Sequence, residues 1–228
     1  MEIVAHRLVE EPHIALIAST APVPVVACIR NMLTIISQVY KAAASEWGME
    51  DLRNPVQGVR LPKMRPGRDR RLEPGEEERL LEVCGCVWLR AAIIVSIETG
   101  LRRGELLSLR RSDIQGSMAL LRTTKNGHAR AVPLSSKAKA ALDSLPVSVD
   151  GTVLPLTALV LDWRWRTALK RADITGLRWH DLRHEAVSRL FEKGLTTEEV
   201  MQVSGHRTYS QLARYTHLRS ANLLTKLG

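Results

Sequence analysis

Between Val87 and Thr99 the chain is apolar almost all the way round a helix, with Trp88, Leu89, Ile93, Ile94, Val95 and Ile97 spread over every face. A helix without a polar side cannot lie on a surface. The stretch therefore predicts a buried central helix with other elements packed around it. Gly100 follows at once, the residue at which a helix most readily turns left-handed and stops. An arginine placed just past such a break, Arg102, can project into a site instead of lying along a helix surface. Glu105, three residues further on, shares its face and can hold it in position.

Other elements follow from pattern. Val26, Ile29, Leu33, Ile36, Val39 and Tyr40 recur at helical spacing and predict a helix from Val25 toward Trp47, ending near Gly48. Asn54-Pro55 marks a turn, because the residue before proline is pushed out of the α region. Residues 1–22 show no clear period. Glu73-Pro74 with Glu76, Glu77 and Glu78 reads as a helix start, acidic in its first turn as the helix dipole favours. A short helix is expected at Arg103–Leu109, then a hairpin of Met118–Thr124 and His128–Leu134 around Lys125-Asn126-Gly127. Further helices are expected near 136–144, 157–172, 181–193, 196–203, 208–217 and 219–226. The fold class is mainly α (α+β), helical with a small antiparallel β-sheet. The chain carries no internal repeat and no P-loop or Rossmann glycine pattern.

Charge narrows the partner. The 228 residues hold 33 Lys and Arg against 24 Asp and Glu, a formal charge of +9, which favours a polyanion, nucleic acid foremost. The basic stretch Val59–Arg71 (VRLPKMRPGRDRR) has little to bury and reads as a linker that tracks a phosphate backbone. Its Arg65, Arg68, Arg70 and Arg71 are the candidate DNA contacts. Cys28, Cys84 and Cys86 offer neither a disulfide framework nor zinc spacing, so a reducing compartment and no metal are expected. The apolar run Ile14–Cys28 is broken by Pro22 and Pro24 and preceded by Glu10 and Glu11, a poor signal peptide and a poor membrane span. No membrane partner is expected.

The chemistry gathers toward the C-terminus, where His180-Asp181-Leu182-Arg183 is followed by Gly205-His206 and then Tyr215. Alone, Tyr215 would be read as helix packing. In order with the others it supplies what attack on a phosphate needs, a hydroxyl nucleophile beside groups that neutralise the phosphate. Arg102 and Arg183 are two guanidiniums able to grip phosphate oxygens in bidentate fashion. Lys125, at a hairpin turn, is an ammonium that a mobile loop could bring to a leaving oxygen. His184 reads as structural, and Trp163, Trp165 and Trp179 as packing.

Four motifs, TGLRRGELLSL (99–109), TKNGHARAVPL (124–134), HDLRH (180–184) and SGHRTYSQLARYTH (204–217), together resemble the tyrosine recombinases of the phage-integrase type. The resemblance covers about residues 25–228. It implies a partial helical core-binding domain at 1–58, a basic linker at 59–71 and a catalytic domain at 72–228. Carried over by motif, Arg102, Lys125, His180, Arg183, His206 and Tyr215 are the catalytic set, and Glu105 supports it.

The implied chemistry is site-specific cleavage and rejoining of double-stranded DNA. Tyr215 forms a 3′-phosphotyrosyl link, which stores the bond without ATP. Arg102 and Arg183 stabilise charge on the pentacoordinate phosphate, and His206 donates a hydrogen bond. Lys125 protonates the leaving oxygen and His180 manages the tyrosine proton. No cofactor or metal is implied. The resemblance further implies a homo-oligomer, a tetramer on synapsed DNA, with Ser220–Leu227 as a helix that docks on a neighbour. It also implies accessory DNA-bending proteins and a cytoplasmic setting in a bacterial or phage-encoded system.

Two other functions stay open, a type IB topoisomerase-like nicking and closing activity and a non-catalytic DNA-binding remnant. The N-terminal side is short for the family's clamp and no arm-binding domain is read, so weak, salt-sensitive DNA binding is expected.

Overall fold

The computed structural model describes residues 23–63, 68–122 and 129–215. The chain divides into two compact units, Met1–Arg68 and Asp69–Gly228. In the first, one long helix, α1 (Val23–Glu46), carries the pattern anticipated from sequence. Val26 and Ala43 are buried, but Met32, Ile35 and Val39 on the same helix are more than half exposed or close to it. The chain beyond α1 folds back along it. Asn54 donates from Nδ2 to Ser37 Oγ at 2.9 Å and accepts from the Val56 amide at 3.0 Å, which closes the expected turn at Asn54-Pro55. Arg30 Nη1 then reaches the Pro62 carbonyl at 2.7 Å.

The second unit is built round α3 (Val87–Thr99), preceded by α2 (Glu76–Glu82). Eight of the residues of α3 are buried, Ile93 and Val95 completely, as expected of a helix that is apolar on all sides. It packs chiefly against α5 (Ser136–Asp143) and α7 (Asp181–Glu192), with α6 (Ala158–Arg171) behind. Trp165 and Trp179 meet edge to face, centroids 5.1 Å apart, within the same core, whereas Trp163 is exposed.

The sheet has three antiparallel strands in the order β1 (Ile114–Gln115), β2 (Met118–Leu121), β3 (Arg130–Pro133). Register pairs Ala119 with Val132 and Leu121 with Arg130. Ala119 and Val132 are fully buried, so one face of the ribbon joins the core. β1 is an addition to the hairpin read from sequence, too short to leave an alternating pattern. The two longer strands end earlier than their sequence pattern suggests. The turn carrying Lys125 lies outside the described residues, as does Arg65.

Two short helices follow α7 among the described residues, α8 (Thr197–Ser204) and α9 (Tyr209–Leu212). α8 starts on a capping box. The Thr196 hydroxyl accepts from the Glu199 amide at 3.2 Å, and the Glu199 carboxylate accepts from the Thr196 amide at 2.6 Å. α9 is shorter than the 208–217 span expected, because Ala213–Tyr215 tighten into a 3₁₀ turn. That turn drops Tyr215 into a second, small apolar cluster with Val187, Phe191, Val200 and Leu212. The helix expected near 219–226 lies outside the described residues. Among the described residues, no helix is long and apolar enough to cross a membrane.

Candidate active site

The end of α3 starts the site. Gly100 sits at φ 66°, ψ 21°, and its amide closes the helix on the Ser96 carbonyl at 2.9 Å. A Cβ at this glycine would lie 3.3 Å from Ala186 Cβ, so α7 approaches closely here. The close approach has a use. Arg183, on α7 and 5% exposed, donates from Nη1 to the Gly100 carbonyl. The break after α3 thereby fixes one guanidinium and leads directly to the other.

That other guanidinium is Arg102, at the N-cap of α4 (Arg103–Leu107). Glu105 accepts from its backbone amide and from its Nη1, both at 2.9 Å. Arg102 Nη2 also reaches the Gly205 carbonyl at 3.1 Å, and so touches the loop that carries His206. Glu105 is buried, which alone would raise its pKa. Hydrogen bonds from Arg130 and Arg102 outweigh burial and hold it at about 2, so it is a fixed negative charge.

Arg130 is a member of this cluster that sequence reasoning missed. From β3 it grips Glu105 through both terminal nitrogens, at 2.9 and 2.8 Å. Its guanidinium lies against Gly205, which ends α8 at φ 69°, and a Cβ there would stand 2.6 Å from Arg130 Cζ. Only a glycine leaves that room. A basic residue on an inward-facing strand position, with no acidic neighbour in sequence, is the signal that could have marked it.

His206 follows Gly205. Its Nδ1 lies 2.7 Å from Ser204 Oγ, and its Nε2 3.2 Å from Arg183 Nη2. Ser204 spends its one proton on the Val200 carbonyl. Nδ1 of His206 is then the donor to Ser204, and Nε2 is left to accept from Arg183. Burial, with Arg183 and Arg102 close by, pushes the His206 pKa down to about 3. His206 is thus neutral, and donates from Nε2 only if it gains a proton. The two arginines also act on one another, since burial and then Arg102 lower Arg183 to about 10. The site is short of negative charge, which suits it to an anion.

Two tyrosines follow His206, and their surroundings differ. Tyr209 is 60% exposed and gives its hydroxyl to Glu198 at 3.0 Å. Tyr215 is buried, its ring stacked on Phe191 and its hydroxyl hydrogen-bonded to Nδ1 of His184. Burial raises the Tyr215 pKa, while Arg214 and Arg183 pull it back. His180, at the N-cap of α7, stands edge-on to His184 with ring centroids 5.0 Å apart. The structure therefore brings Arg102, Glu105, His180, Arg183, His206 and Tyr215 into one connected cluster and places His184 on the tyrosine hydroxyl.

Two of the linker arginines, Arg70 and Arg71, meet carboxylates of the second unit. Arg71 is bidentate on Glu185, at 2.9 and 3.2 Å, and also pairs with Glu192. Arg70 pairs with Glu76. Glu185 sits on the inner face of α7 and is nearly fully buried, so these arginines tie the start of the second unit to the helix of the site. Arg68 closes the first unit.

Residues 70–222 match the model of the phage integrase family. A shufflon-specific DNA recombinase of Escherichia coli is 44% identical over 204 residues, covering 87% of this chain and 53% of that protein. The integrase of Salmonella phage P22 is 30% identical over 212 residues, covering 84% of this chain and 54% of that protein. The chain spans about half the length of these two relatives. In fold it is similar to a lambda integrase dimer bound to a COC′ core site, with TM-score 0.68, 22% identity, and coverage of 86% of this chain and 60% of that one. The family match takes in the four motifs and nearly all of the second unit, and the chain belongs to the phage integrase family of tyrosine recombinases.

Proposed function

We propose that the chain cuts and rejoins double-stranded DNA at specific sites, with Tyr215 as the nucleophile. The observation that carries this reading is the convergence of Arg102 and Arg183 on the loop around Gly205 and His206, with the Tyr215 hydroxyl held off the same helix that bears Arg183. Two guanidiniums at such a spot would bind the non-bridging oxygens of a phosphodiester and strengthen their grip as charge grows on it. Arg102 comes ready aimed, because Glu105 and the Gly205 carbonyl fix it. Removing either arginine should weaken transition-state stabilisation by roughly 3–4 kcal/mol.

The remaining roles follow. Tyr215 oxygen bonds to phosphorus, the bond to the 5′ oxygen breaks, and a 3′-phosphotyrosyl link stores the energy for rejoining. Lys125 would give the departing oxygen its proton. An arriving phosphate would favour protonation of His206, which could then donate to it. Glu105 supports Arg102, and His180 lines the same end of α7. The first unit, with residues 59–71 as linker, would act as a partial core-binding clamp on DNA.

The relatives support the choice of substrate by name, and lambda integrase has been solved as a tetramer bound to a Holliday junction. We extend to this chain a tetramer on synapsed DNA, a cytoplasmic setting and help from accessory DNA-bending proteins. The test is label transfer. The chain is incubated with a pool of end-labelled, nicked duplexes tiling the DNA that flanks its own coding sequence, then denatured and resolved on a gel. Label should move to protein size with the wild-type chain and not with Tyr215→Phe. Duplex binding at low salt without label transfer would favour a DNA-binding remnant.

A further inference from the structure

We propose that His184 is the base that receives the Tyr215 proton, a catalytic role for a residue whose sequence position suggests structure. The inference rests on the reading of Tyr215 as nucleophile and extends it. Its ground is contact. The Tyr215 hydroxyl is hydrogen-bonded to Nδ1 of His184, and the two rings stack with centroids 6.0 Å apart at 30°. Phe191 backs the phenol ring at 6.3 Å and 17°, and the Arg214 guanidinium lies 5.6 Å from its centroid. The phenol is therefore held on several sides with its oxygen directed at one imidazole nitrogen. His180, to which the resemblance gives this task, meets His184 edge-on at 5.0 Å, and it is His184 that holds the hydroxyl.

The groups facing His184 decide its charge. On its own helix these are His180, Asp181 and Arg183. Arg214 and Tyr215 face it from the turn after α9, and His206 from the loop after α8. Burial first, then His180 and Arg214, hold its pKa at about 4, and Asp181 opposes them weakly. His184 is accordingly neutral at physiological pH, with a lone pair on Nδ1 when the proton sits on Nε2. A weak base suffices here, because the phenol grows far more acidic as its oxygen bonds to phosphorus.

The step balances. The Tyr215 oxygen forms a bond to phosphorus, and the bond from phosphorus to the 5′ oxygen breaks with its electron pair on that oxygen. The phenolic proton passes to His184 Nδ1, and the 5′ oxygen takes a proton from a general acid, for which Lys125 is the candidate. On rejoining, the 5′ hydroxyl attacks phosphorus and the tyrosine oxygen leaves, recovering its proton from His184.

The test compares His184→Asn with wild type on the same nicked-duplex pool from pH 6 to 9. Asparagine keeps a polar atom near the Nδ1 position but cannot take a proton. Labelling should slow about 100-fold at pH 7. Its rate should then climb with pH toward that of wild type as hydroxide replaces the base. A variant as fast as wild type, or slower by one factor at every pH, overturns the proposal. Should the variant not fold, ¹⁵N spectra of the wild-type chain decide the matter. Nδ1 of His184 must appear unprotonated and shift in Tyr215→Phe, and a protonated Nδ1 overturns the role. A wild-type chain that never takes up label sinks the recombinase reading and this inference with it. Labelling by wild type and His184→Asn alike sinks this inference alone.

Discussion

Arg130 and Glu105 meet side on, with Nη1 of the arginine 2.9 Å from Oε1 and Nη2 2.8 Å from Oε2. The same carboxylate holds Arg102, so one buried negative charge orders two guanidiniums from two elements, β3 and the start of α4. The aim of Arg102 then depends in part on a residue of β3, across the fold from α4.

Glu105→Gln keeps the shape and removes the charge. It leaves two cations facing each other across a neutral amide, and breaking a buried pair from one side costs about 3 kcal/mol. Urea unfolding should register that loss, with label transfer slowed as Arg102 loses its orientation. A loss below about 1 kcal/mol would show that the Glu105 charge is not what orders the two guanidiniums.

Gly205→Ala places a methyl 2.6 Å from the Arg130 guanidinium carbon at a backbone φ of 69°. The left-handed conformation alone costs about 1–2 kcal/mol for a residue with a Cβ. The displaced arginine should add to that. Unfolding should be easier, and label transfer should fall even at temperatures where the variant stays folded. Unchanged cleavage in the folded variant would detach Arg130 from the site.

Arg71→Ala separates two readings of one residue. The sequence places Arg71 on a phosphate-tracking linker, whereas the structure uses it on Glu185 and Glu192. Its loss should destabilise the chain by about 1–2 kcal/mol, because Glu185 keeps only part of its compensation. The salt dependence of binding to a random-sequence duplex should not change. A slope lowered by about 1 would instead mean that Arg71 meets a phosphate in the complex.

Acid should unfold the chain early. Burial keeps His184 at about 4 and His206 at about 3, against an ordinary 6.5, and His180 is depressed too. Below pH 6.5 the unfolded chain binds protons that the folded chain refuses, so stability falls as pH falls. The loss should reach roughly 2 kcal/mol by pH 5, allowing for partial exposure of the rings. Glu105 works in the same direction lower down, its contribution complete above pH 4.5 and lost toward pH 2. Equal unfolding free energies at pH 7 and pH 5 would contradict this.

Much of this architecture was legible beforehand, and for identifiable reasons. An all-round apolar stretch ending in glycine has few solutions, and α3 with its left-handed Gly100 is one of them. The ordered motifs likewise single out Arg102, Arg183, His206 and Tyr215, which the fold gathers at one end of α7. Arg130 was hidden because its partner lies across the fold and nothing local distinguishes it from a solvated strand arginine. The contact of His184 with Tyr215 is not legible in sequence, because its neighbours there say nothing of Tyr215, which a short α9 and a 3₁₀ turn bring back against α7. The pairing of Arg71 is hidden for a related reason. Composition gives its charge, but its acidic partners, buried Glu185 and exposed Glu192, come from a helix distant in sequence.

The most direct test of the central claim is to map the residue that carries DNA. The labelled adduct would be digested with protease and nuclease, and the modified peptide sequenced by mass spectrometry. The account predicts a nucleotide phosphate on the oxygen of Tyr215. Attachment to Tyr209, the exposed tyrosine of the same segment, or to any other residue would contradict it.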